Sequence, residues 1–258
     1  MPLLFILVLG LLIGSFLGAY TYRYPKDIPI SKGRSKCPSC KHVIAWYDNI
    51  PLVSFILLGG KCRNCKKPIS VQYALIESST AVVFILTTLL YPWIVQNIGW
   101  IGSLGIFGLP LVLFFVTLLL AVFYIDFLHQ LIPDSVVFIG IITTLVVFAL
   151  GTESFYLNLL SGLLAGSFLL MIHIVTAGRG MGLGDVKLAL FIGLVLGANL
   201  TVIWMLLAFI LGATAGIILL LFKKVKLKER IAFGPFLVVS FFVVAVWGKM
   251  LSLLLLPL

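Results

Sequence analysis

Long apolar runs separated by short polar segments constrain this chain more than any other feature of its sequence. Of its 258 residues, 62% are hydrophobic and only 10% are charged, whereas a water-soluble domain of this length would be far more polar. A helix that crosses a bilayer needs about 20 predominantly apolar residues and hydrogen-bonds its own backbone. The sequence therefore predicts an all-α polytopic membrane protein with about eight transmembrane helices.

The sixth predicted span is unusually short. Its roughly 13 residues would rise only ~20 Å as a helix, against a hydrocarbon core of ~30 Å. We expect it to begin below the membrane surface and to carry Asp185 inward. The predicted spans cover residues 2–20, 72–92, 109–127, 134–150, 156–176, 185–197, 200–222 and 232–256.

The positions of Lys and Arg predict the orientation, because these residues concentrate in short cytoplasmic loops. Of the 18 basic residues, all but Lys249 fall in the predicted inner segments, and the predicted outer loops carry none. We therefore expect both termini outside the cytoplasm and Asp126 and Asp185 near the cytoplasmic face. No Lys or Arg precedes the first span, so it is predicted to be a retained anchor. The inner segments are 21–71, 128–133, 177–187 and 223–231; the outer loops are 93–108, 151–155 and 198–199.

Three domains follow from this topology: a first transmembrane helix at 1–20, a cytoplasmic loop domain at 21–71 and a helical bundle at 72–258. The loop holds ten of the cations that contribute to the net charge of +10. Anionic lipid headgroups explain this excess better than nucleic acid does, because aromatic residues are not interleaved with the basic ones. Membrane lipids are thus predicted partners, and nucleic acid is not.

All four cysteines lie in that loop, as Cys37-Pro-Ser-Cys40 and Cys62-Arg-Asn-Cys65. Two such pairs at this separation are close to the zinc-ribbon pattern. Disulfides or a redox pair are the alternative, but a cytoplasmic loop lies in a reducing compartment. Four thiolates leave no open position for water, so the sequence predicts a small zinc-ribbon-like domain with a structural Zn²⁺.

Two aspartates occupy positions that a lipid-embedded chain should avoid. Asp126 ends the apolar run 109–125, and Asp185 lies in Met181-Gly-Leu-Gly-Asp-Val-Lys187. Burying a carboxylate in a bilayer costs several kcal/mol unless function requires it. Two carboxyls that share a site divide into one acid and one carboxylate, which suits hydrolysis of a peptide. The sequence predicts that Asp126 and Asp185 are catalytic, with Asp126 protonated because a helix C-terminus disfavours an anion.

Other polar residues are assigned supporting roles. Gly182 and Gly184 would allow close approach of backbone to substrate, and Lys187 would favour the anion of Asp185. Asp134 is predicted to cap a helix. Glu77 is expected to reach the inner interface or a loop cation, and it remains a secondary candidate. His129 and His173 are not expected to act as bases; His173 should satisfy a neighbouring polar group.

Two other functions compete with the protease at this point. A proton-coupled membrane transporter would also use intramembrane carboxylates, but it leaves the cysteine loop unexplained. A membrane-anchored zinc-ribbon binding module leaves Asp126 and Asp185 unexplained. Detection of peptide cleavage by the purified protein would discriminate all three.

The order of short motifs resembles the type IV prepilin peptidases, which belong to the Gly-x-Gly-Asp class of intramembrane aspartyl proteases. The resemblance implies that Asp126 and Asp185 cut the basic leader of prepilin or pseudopilin precursors after a glycine, in the bacterial inner membrane. It also implies N-methylation of the new N-terminus with S-adenosylmethionine, whose binding residues the sequence does not reveal. The motifs are Gly14-Ser-Phe-Leu-Gly18, Tyr22-Arg-Tyr-Pro25, Cys37-Pro-Ser-Cys40, Trp46-Tyr-Asp-Asn-Ile-Pro51, Gly60-Lys-Cys-Arg-Asn-Cys65, Asp126, Ile132-Pro-Asp134, Gly182-Leu-Gly-Asp-Val-Lys187 and Phe233-Gly-Pro-Phe236.

Overall fold

The structure is a computed structural model that describes residues 3–30, 35–150, 155–222 and 231–255. It divides into two compact units, Met1–Leu89 and Leu90–Leu258. Most of the predicted inner segment 223–231 and of the predicted outer loop 151–155 lies outside the described residues. The three predicted domains, 1–20, 21–71 and 72–258, were defined by the side of the membrane on which each segment lies. Compactness does not test that division, so it stays a prediction.

The N-terminal unit is built around a close pair of helices, α1 (Leu3–Arg23) and α3 (Val71–Leu89), with a short helix α2 (Val53–Leu57) between them in sequence. Gly10 and Gly14 of α1 face α3, where an added Cβ would lie 2.7 Å from the Cα atoms of Ala81 and Glu77 respectively. The later residue of α1, Gly14, meets the earlier residue of α3, Glu77, so the two helices are antiparallel. Small residues four apart let membrane helices approach closely, which explains this packing.

The second unit contains eight α-helices among its described residues. Two of them, α4 and α5, are short, and the other six are long enough to bury a core. The helices are α4 (Tyr91–Asn97), α5 (Gly99–Gly102), α6 (Gly108–His129), α7 (Asp134–Ala149), α8 (Phe155–Val175), α9 (Leu183–Leu196), α10 (Ala198–Leu221) and α11 (Gly234–Leu255).

Six helical segments among the described residues are long and apolar enough to cross a membrane, which confirms the predicted class of all-helical membrane protein. The fourth and sixth predicted spans correspond to α7 and α9, which have only 16 and 14 residues. Eight crossings therefore stay a prediction. The six segments are Leu3–Lys26, Val71–Leu89, Gly105–His129, Phe155–Val175, Ala198–Leu221 and Gly234–Leu254.

Helix α9 is the central element of the second unit. Its buried residues lie on every side of the helix, and Leu188, Ala189 and Ile192 are completely inaccessible. A helix of this length rises only ~21 Å. Because α9 is surrounded by protein and not by lipid, it does not need the length of a lipid-facing span.

Side chains from three other segments satisfy the carbonyl groups at the C-terminal end of α9. Trp100 Nε1 donates to the Val195 carbonyl at 2.9 Å, and Asn158 Nδ2 donates to the Leu194 carbonyl at 3.0 Å. The Thr201 hydroxyl lies 3.4 Å from the Gly193 carbonyl. The last carbonyls of a helix have no partner within it, so these contacts let α9 end inside the protein.

Glycines also bring α8 against α9. A Cβ added at Gly193 would lie 2.9 Å from the Gly162 Cα, and one added at Gly162 would lie 2.8 Å from the Leu190 carbonyl oxygen. On the other side of α9, the Phe191 ring meets Phe115 of α6 at 5.5 Å between centroids. The ring contact joins α9, which carries Asp185, to α6, which carries Asp126.

Candidate active site

Asp126 lies in the last turn of α6, at the end of a stretch from Leu118 that is almost entirely buried. Its side chain is only 5% exposed. The backbone N–H of Gly234 donates to Asp126 Oδ2 at 2.9 Å. Because Gly234 is the first residue of α11, the carboxylate of Asp126 faces the N-terminus of another helix.

Gly234 contacts the candidate site directly, and the sequence analysis assigns it no role. A Cβ at this position would lie 2.6 Å from Asp126 Oδ2 and 3.2 Å from its Cγ, so any other residue would displace the carboxylate. Pro235 follows at a helical position where no N–H is needed. The signal in the sequence is the string Phe233-Gly-Pro-Phe236, one of the motifs that carry the family resemblance.

Asp185 occupies the third position of α9 and is 8% exposed. Its Oδ2 accepts a hydrogen bond from the N–H of Gly182, the residue that precedes the helix, at 3.1 Å. Its Oδ1 is buried and has no hydrogen-bond partner among the described residues. A buried carboxyl oxygen without a partner is costly, and such atoms call for a water, a substrate or another absent partner.

The structure brings Asp126 and Asp185 into one site. Both carboxyl groups belong to the second unit, and they lie close enough to interact electrostatically. Each is buried, and each accepts one backbone N–H at the start of a helix. The two predicted acids are therefore neighbours in the same unit, and their joint catalytic role stays a prediction.

The structure changes one premise about the proton. Asp126 was predicted to be the protonated partner because it ends its own helix, but its carboxylate also faces the N-terminus of α11 through Gly234. Helix N-termini favour anions at both aspartates. Helix polarity therefore no longer distinguishes the two carboxyls, because the neighbour of Asp126 could not be read from its own segment.

The two charged residues nearest to these aspartates in sequence pair with each other. Lys187 Nζ lies 2.7 Å from Asp134 Oδ2, and both side chains are partly exposed. Asp134 lies in the first turn of α7, where a carboxylate is favourable, but the predicted cap is wrong because Pro133 occupies the N-cap position. Gly184 packs directly on Ile132, where a Cβ would lie 2.8 Å from the Ile132 Cβ. These contacts join the starts of α7 and α9.

Glu77 has a different role from the one predicted. It is buried in the N-terminal unit, where its Oε2 accepts the N–H of Leu52 at 2.8 Å and its carboxylate also bonds the Ser15 side chain. Leu52 has a φ of 58°, which is strained for a residue with a branched side chain. Among the described residues, Glu77 forms no ion pair, so it holds the loop before α2 in place and does not reach for a cation.

The four cysteines come together as the sequence predicted. Their Sγ atoms all lie within 4.8 Å of one another, and Cys37 Sγ and Cys65 Sγ are 3.9 Å apart. Four thiolates at the usual Zn–S distance of about 2.3 Å would be ~3.8 Å apart in a tetrahedron. The donor set and its spacing therefore fit a tetrahedral metal ion.

The two cysteine pairs have the same backbone structure. Cys37 donates its N–H to the His42 carbonyl and Cys62 donates to the Lys67 carbonyl, both at 2.9 Å. Lys41 and Lys66, which follow the second cysteine of each pair, have φ values of 60° and 57°. Each pair is thus one copy of a repeated tight turn that directs two thiols to the same side.

An ion pair joins the second cysteine turn to the motif that begins at Trp46. Arg63 Nη2 lies 2.7 Å from Asp48 Oδ1, and Arg63 Nε lies 2.8 Å from Oδ2, which is a bidentate arrangement. The Arg63 guanidinium, through these hydrogen bonds, holds the pKa of the Asp48 carboxyl below its ordinary value. This contact orders the loop beside the thiol cluster.

The fold and the two sites define a helical membrane protein that combines a buried aspartate pair with a four-thiol cluster. Residues 8–91 match the bacterial peptidase A24 N-terminal domain, and residues 113–217 match the type IV leader peptidase family. The cysteines lie in the first match and both aspartates in the second. No solved structure matches the chain.

Curated relatives match most of the chain. It is 32% identical to a prepilin leader peptidase/N-methyltransferase of Pseudomonas aeruginosa, over 97% of this chain and 93% of that one. It is 37% identical to one of Myxococcus xanthus, over 84% of this chain, and spans 63% of that relative's length. A prepilin leader peptidase/N-methyltransferase of Vibrio cholerae is 30% identical, over 92% of this chain and 93% of that relative. The chain belongs to the type IV leader peptidase family and is therefore a peptidase.

Proposed function

We propose that this protein is an intramembrane aspartyl endopeptidase that removes the basic leader of type IV prepilin or pseudopilin precursors by cutting after a glycine. The observation that carries the proposal is the pair of buried carboxyl groups, Asp126 and Asp185, each held by one backbone N–H. The relatives are prepilin leader peptidases, which supplies the substrate class. Family membership also disfavours the transporter.

The proposed chemistry needs one carboxylate and one carboxylic acid. The carboxylate takes a proton from water while the water oxygen attacks the scissile carbonyl carbon, and the acid donates its proton to the carbonyl oxygen. As the C–N bond breaks, the leaving amine takes a proton from the first aspartate, and the former carbonyl oxygen returns its proton to the second aspartate while the C=O bond re-forms. Both carboxyl groups thereby regain their starting forms. Two carboxyls that share a site titrate as a pair, so both forms are present together.

The two glycine N–H groups support this chemistry by fixing the aspartates. Each N–H occupies one oxygen of its carboxyl, at Gly234 for Asp126 and at Gly182 for Asp185. The other oxygen of Asp185 has no partner among the described residues and is the atom we assign to water or substrate. Held in this way, the carboxyl groups need little reorganisation during the reaction.

The membrane arrangement extends the proposal. We propose eight crossings of the bacterial inner membrane, with α7 and α9 as the two short ones, both termini outside the cytoplasm and the aspartates near the cytoplasmic face. The distribution of Lys and Arg supports this orientation. A precursor with a short cationic leader before an apolar helix would then present its cleavage site at the same interface.

We also propose that the enzyme N-methylates the new N-terminus with S-adenosylmethionine, the activity named in its relatives. The N-terminal unit contains a cavity of about 320 Å³, at the lower end of the usual range for small-molecule sites. Arg23 on its wall offers a cation for the donor's carboxylate, and Asn49 and Ser15 offer hydrogen-bonding groups. Bound there, the donor would supply an electrophilic methyl group to the substrate amine.

The four thiolates are proposed to hold a structural Zn²⁺ in a zinc-ribbon-like loop. With all four positions filled by Cys37, Cys40, Cys62 and Cys65, the metal has no site for water or substrate. Its contribution is to the folding of the loop, which has few large buried side chains of its own.

The function is tested with purified protein in detergent and a prepilin peptide that contains the leader, the glycine and the start of the apolar helix. We expect mass spectrometry to find one cut after the glycine, and a methyl group on the new N-terminus when S-adenosylmethionine is present. Cleavage without methylation would reject the second activity alone. An intact peptide at high enzyme concentration would reject the protease.

A further inference from the structure

A single peptide group links His173 to Asp185. The Nδ1 atom of His173 lies 2.7 Å from the carbonyl oxygen of Met181. The N–H of Gly182, on the other side of the same peptide bond, donates to Asp185 Oδ2 at 3.1 Å. A carbonyl can only accept, so His173 must carry its proton on Nδ1.

The segment between α8 and α9 is folded around the imidazole ring. His173 lies in the last turn of α8, and its own carbonyl accepts the N–H of Gly178 at 2.8 Å. Gly178 has a φ of 73°, and a Cβ there would lie 3.2 Å from the His173 Cε1. This positive φ and the closeness of the ring both require glycine.

Two further contacts order the same segment. Thr176 Oγ1 accepts the N–H of Gly180 at 3.1 Å, and Met181 is 5% exposed. Residues 176–182 therefore form a hydrogen-bonded turn, and this turn fixes the orientation of the Met181–Gly182 peptide group at its end. The direction of that peptide determines where the Gly182 N–H points.

We infer that His173 is a positioning residue that orients Asp185 through the Met181–Gly182 peptide. Donation to the Met181 carbonyl polarises the peptide and strengthens its N–H as a donor, because hydrogen bonds in a chain reinforce one another. The same bond prevents the peptide from rotating, so the Asp185 oxygen stays occupied by Gly182. This inference rests on the proposed function of Asp185, although the hydrogen-bond chain can be tested without it.

The kinetic test compares two substitutions of His173. His173→Asn keeps a donor close to the position of Nδ1, whereas His173→Leu removes the donor at similar volume. We expect kcat for prepilin cleavage to fall roughly 10- to 100-fold in the Leu variant with KM within about twofold, since misplacing a catalytic group has effects of this size. The Asn variant should recover most of that loss, and His129→Leu, at an exposed helix end, is the matched control.

A spectroscopic test reads the hydrogen bond directly and does not depend on turnover. Met181–Gly182 is the one Met–Gly step in the sequence, so carbonyl-¹³C methionine with ¹⁵N glycine labels a single amide. We expect the Gly182 amide proton to move upfield in the Leu variant and to stay near its wild-type position in the Asn variant. If the Leu variant does not fold, the Gly182 amide proton shift can still be compared between the Asn variant and the wild type.

The outcomes separate the inference from the proposed function. A Gly182 resonance and kcat unchanged in the Leu variant would overturn the role of His173, as would an Asn variant that folds but is as defective in both readouts as Leu. A wild-type enzyme that cleaves nothing, while the Gly182 resonance still follows the substitutions, would reject the protease and leave the hydrogen-bond chain intact.

Discussion

At the scale of single residues, two glycines decide how the catalytic candidates are held. Gly234 and Gly182 each give a backbone N–H to one aspartate, and in each case the carboxyl oxygen occupies space that a side chain would need. A Cβ added at Gly234 would lie 2.6 Å from Asp126 Oδ2, whereas one added at Gly182 would lie 3.2 Å from Asp185 Oδ2. Gly234 is therefore the position where a minimal change should disturb the site most.

We predict that Gly234→Ala lowers kcat/KM for cleavage by tenfold or more, equivalent to about 1.4 kcal/mol of transition-state stabilisation. The added methyl must displace the Asp126 carboxyl or the start of α11. Gly216→Ala is the matched control, because a Cβ there meets only Ile231 at 3.7 Å. Equal activity of both variants, measured on the same prepilin peptide, would show that Asp126 does not depend on this contact.

The sequence was sufficient to select Asp126 and Asp185 as candidates but not to find the groups that hold them. An aspartate after a long apolar run is conspicuous because of its desolvation cost, which depends on its own segment alone. The partner of Asp126 is 108 residues further along the chain, and only the packing of α6 against α11 brings it close. For the same reason helix polarity alone does not assign the proton, so the assignment to Asp126 stays a prediction. The expectation that Glu77 reaches the interface or a cation was wrong, because its partner Leu52 lies 25 residues away in the chain.

At the scale of elements, α9 shows how a helix shorter than a bilayer can end inside the protein. Asn158 and Trp100 reach its last carbonyls from α8 and α5, and both side chains are buried. Without these donors, the carbonyls of Leu194 and Val195 would be left unpaired in an apolar core. The shortness of this span was predicted from the sequence, but the side chains that make it tolerable were not, because they are distant in the chain.

We predict that Asn158→Leu destabilises the protein by about 1–3 kcal/mol, the usual cost of a buried polar group left without its partner. Thermal unfolding in detergent should show a lower midpoint. Thr214→Val serves as the control, since the Thr214 hydroxyl is exposed and bonds a carbonyl of its own helix. An unchanged midpoint for Asn158→Leu would mean that the end of α9 has another source of stability.

At the scale of the whole molecule, the chain keeps its two clusters of chemistry in separate compact units. The thiol cluster and Glu77 belong to Met1–Leu89, and the aspartate pair belongs to Leu90–Leu258. The Cys-x-x-Cys spacing was enough to predict the first cluster, because each pair is a local turn. The second depends on three helices that come together from distant parts of the chain.

We predict one Zn²⁺ per chain, measured by elemental analysis of the purified protein. Cys65→Ser should lose the metal, because three thiolates bind Zn²⁺ far more weakly than four, and the loop should become more sensitive to protease. Ser39→Ala, inside the first cysteine turn but without a thiol, should retain it. Cleavage of prepilin should persist at least in part in the Cys65→Ser variant.

Two results would contradict this prediction. Protein purified without chelators that carries no metal would exclude a structural zinc site, as would a disulfide between Cys37 and Cys40. Complete loss of cleavage in a Cys65→Ser variant that remains inserted in the membrane would show that the two units do not work independently.

The central claim, that Asp126 and Asp185 together perform the hydrolysis, is tested most directly by Asp126→Asn and Asp185→Asn. Each change removes one titratable position at nearly constant volume. In a cleavage assay with purified protein in detergent, we expect no product from either variant, while methylation of a peptide that begins at the mature N-terminus continues and reports that the protein is folded. Near-normal cleavage by either variant would contradict the assignment.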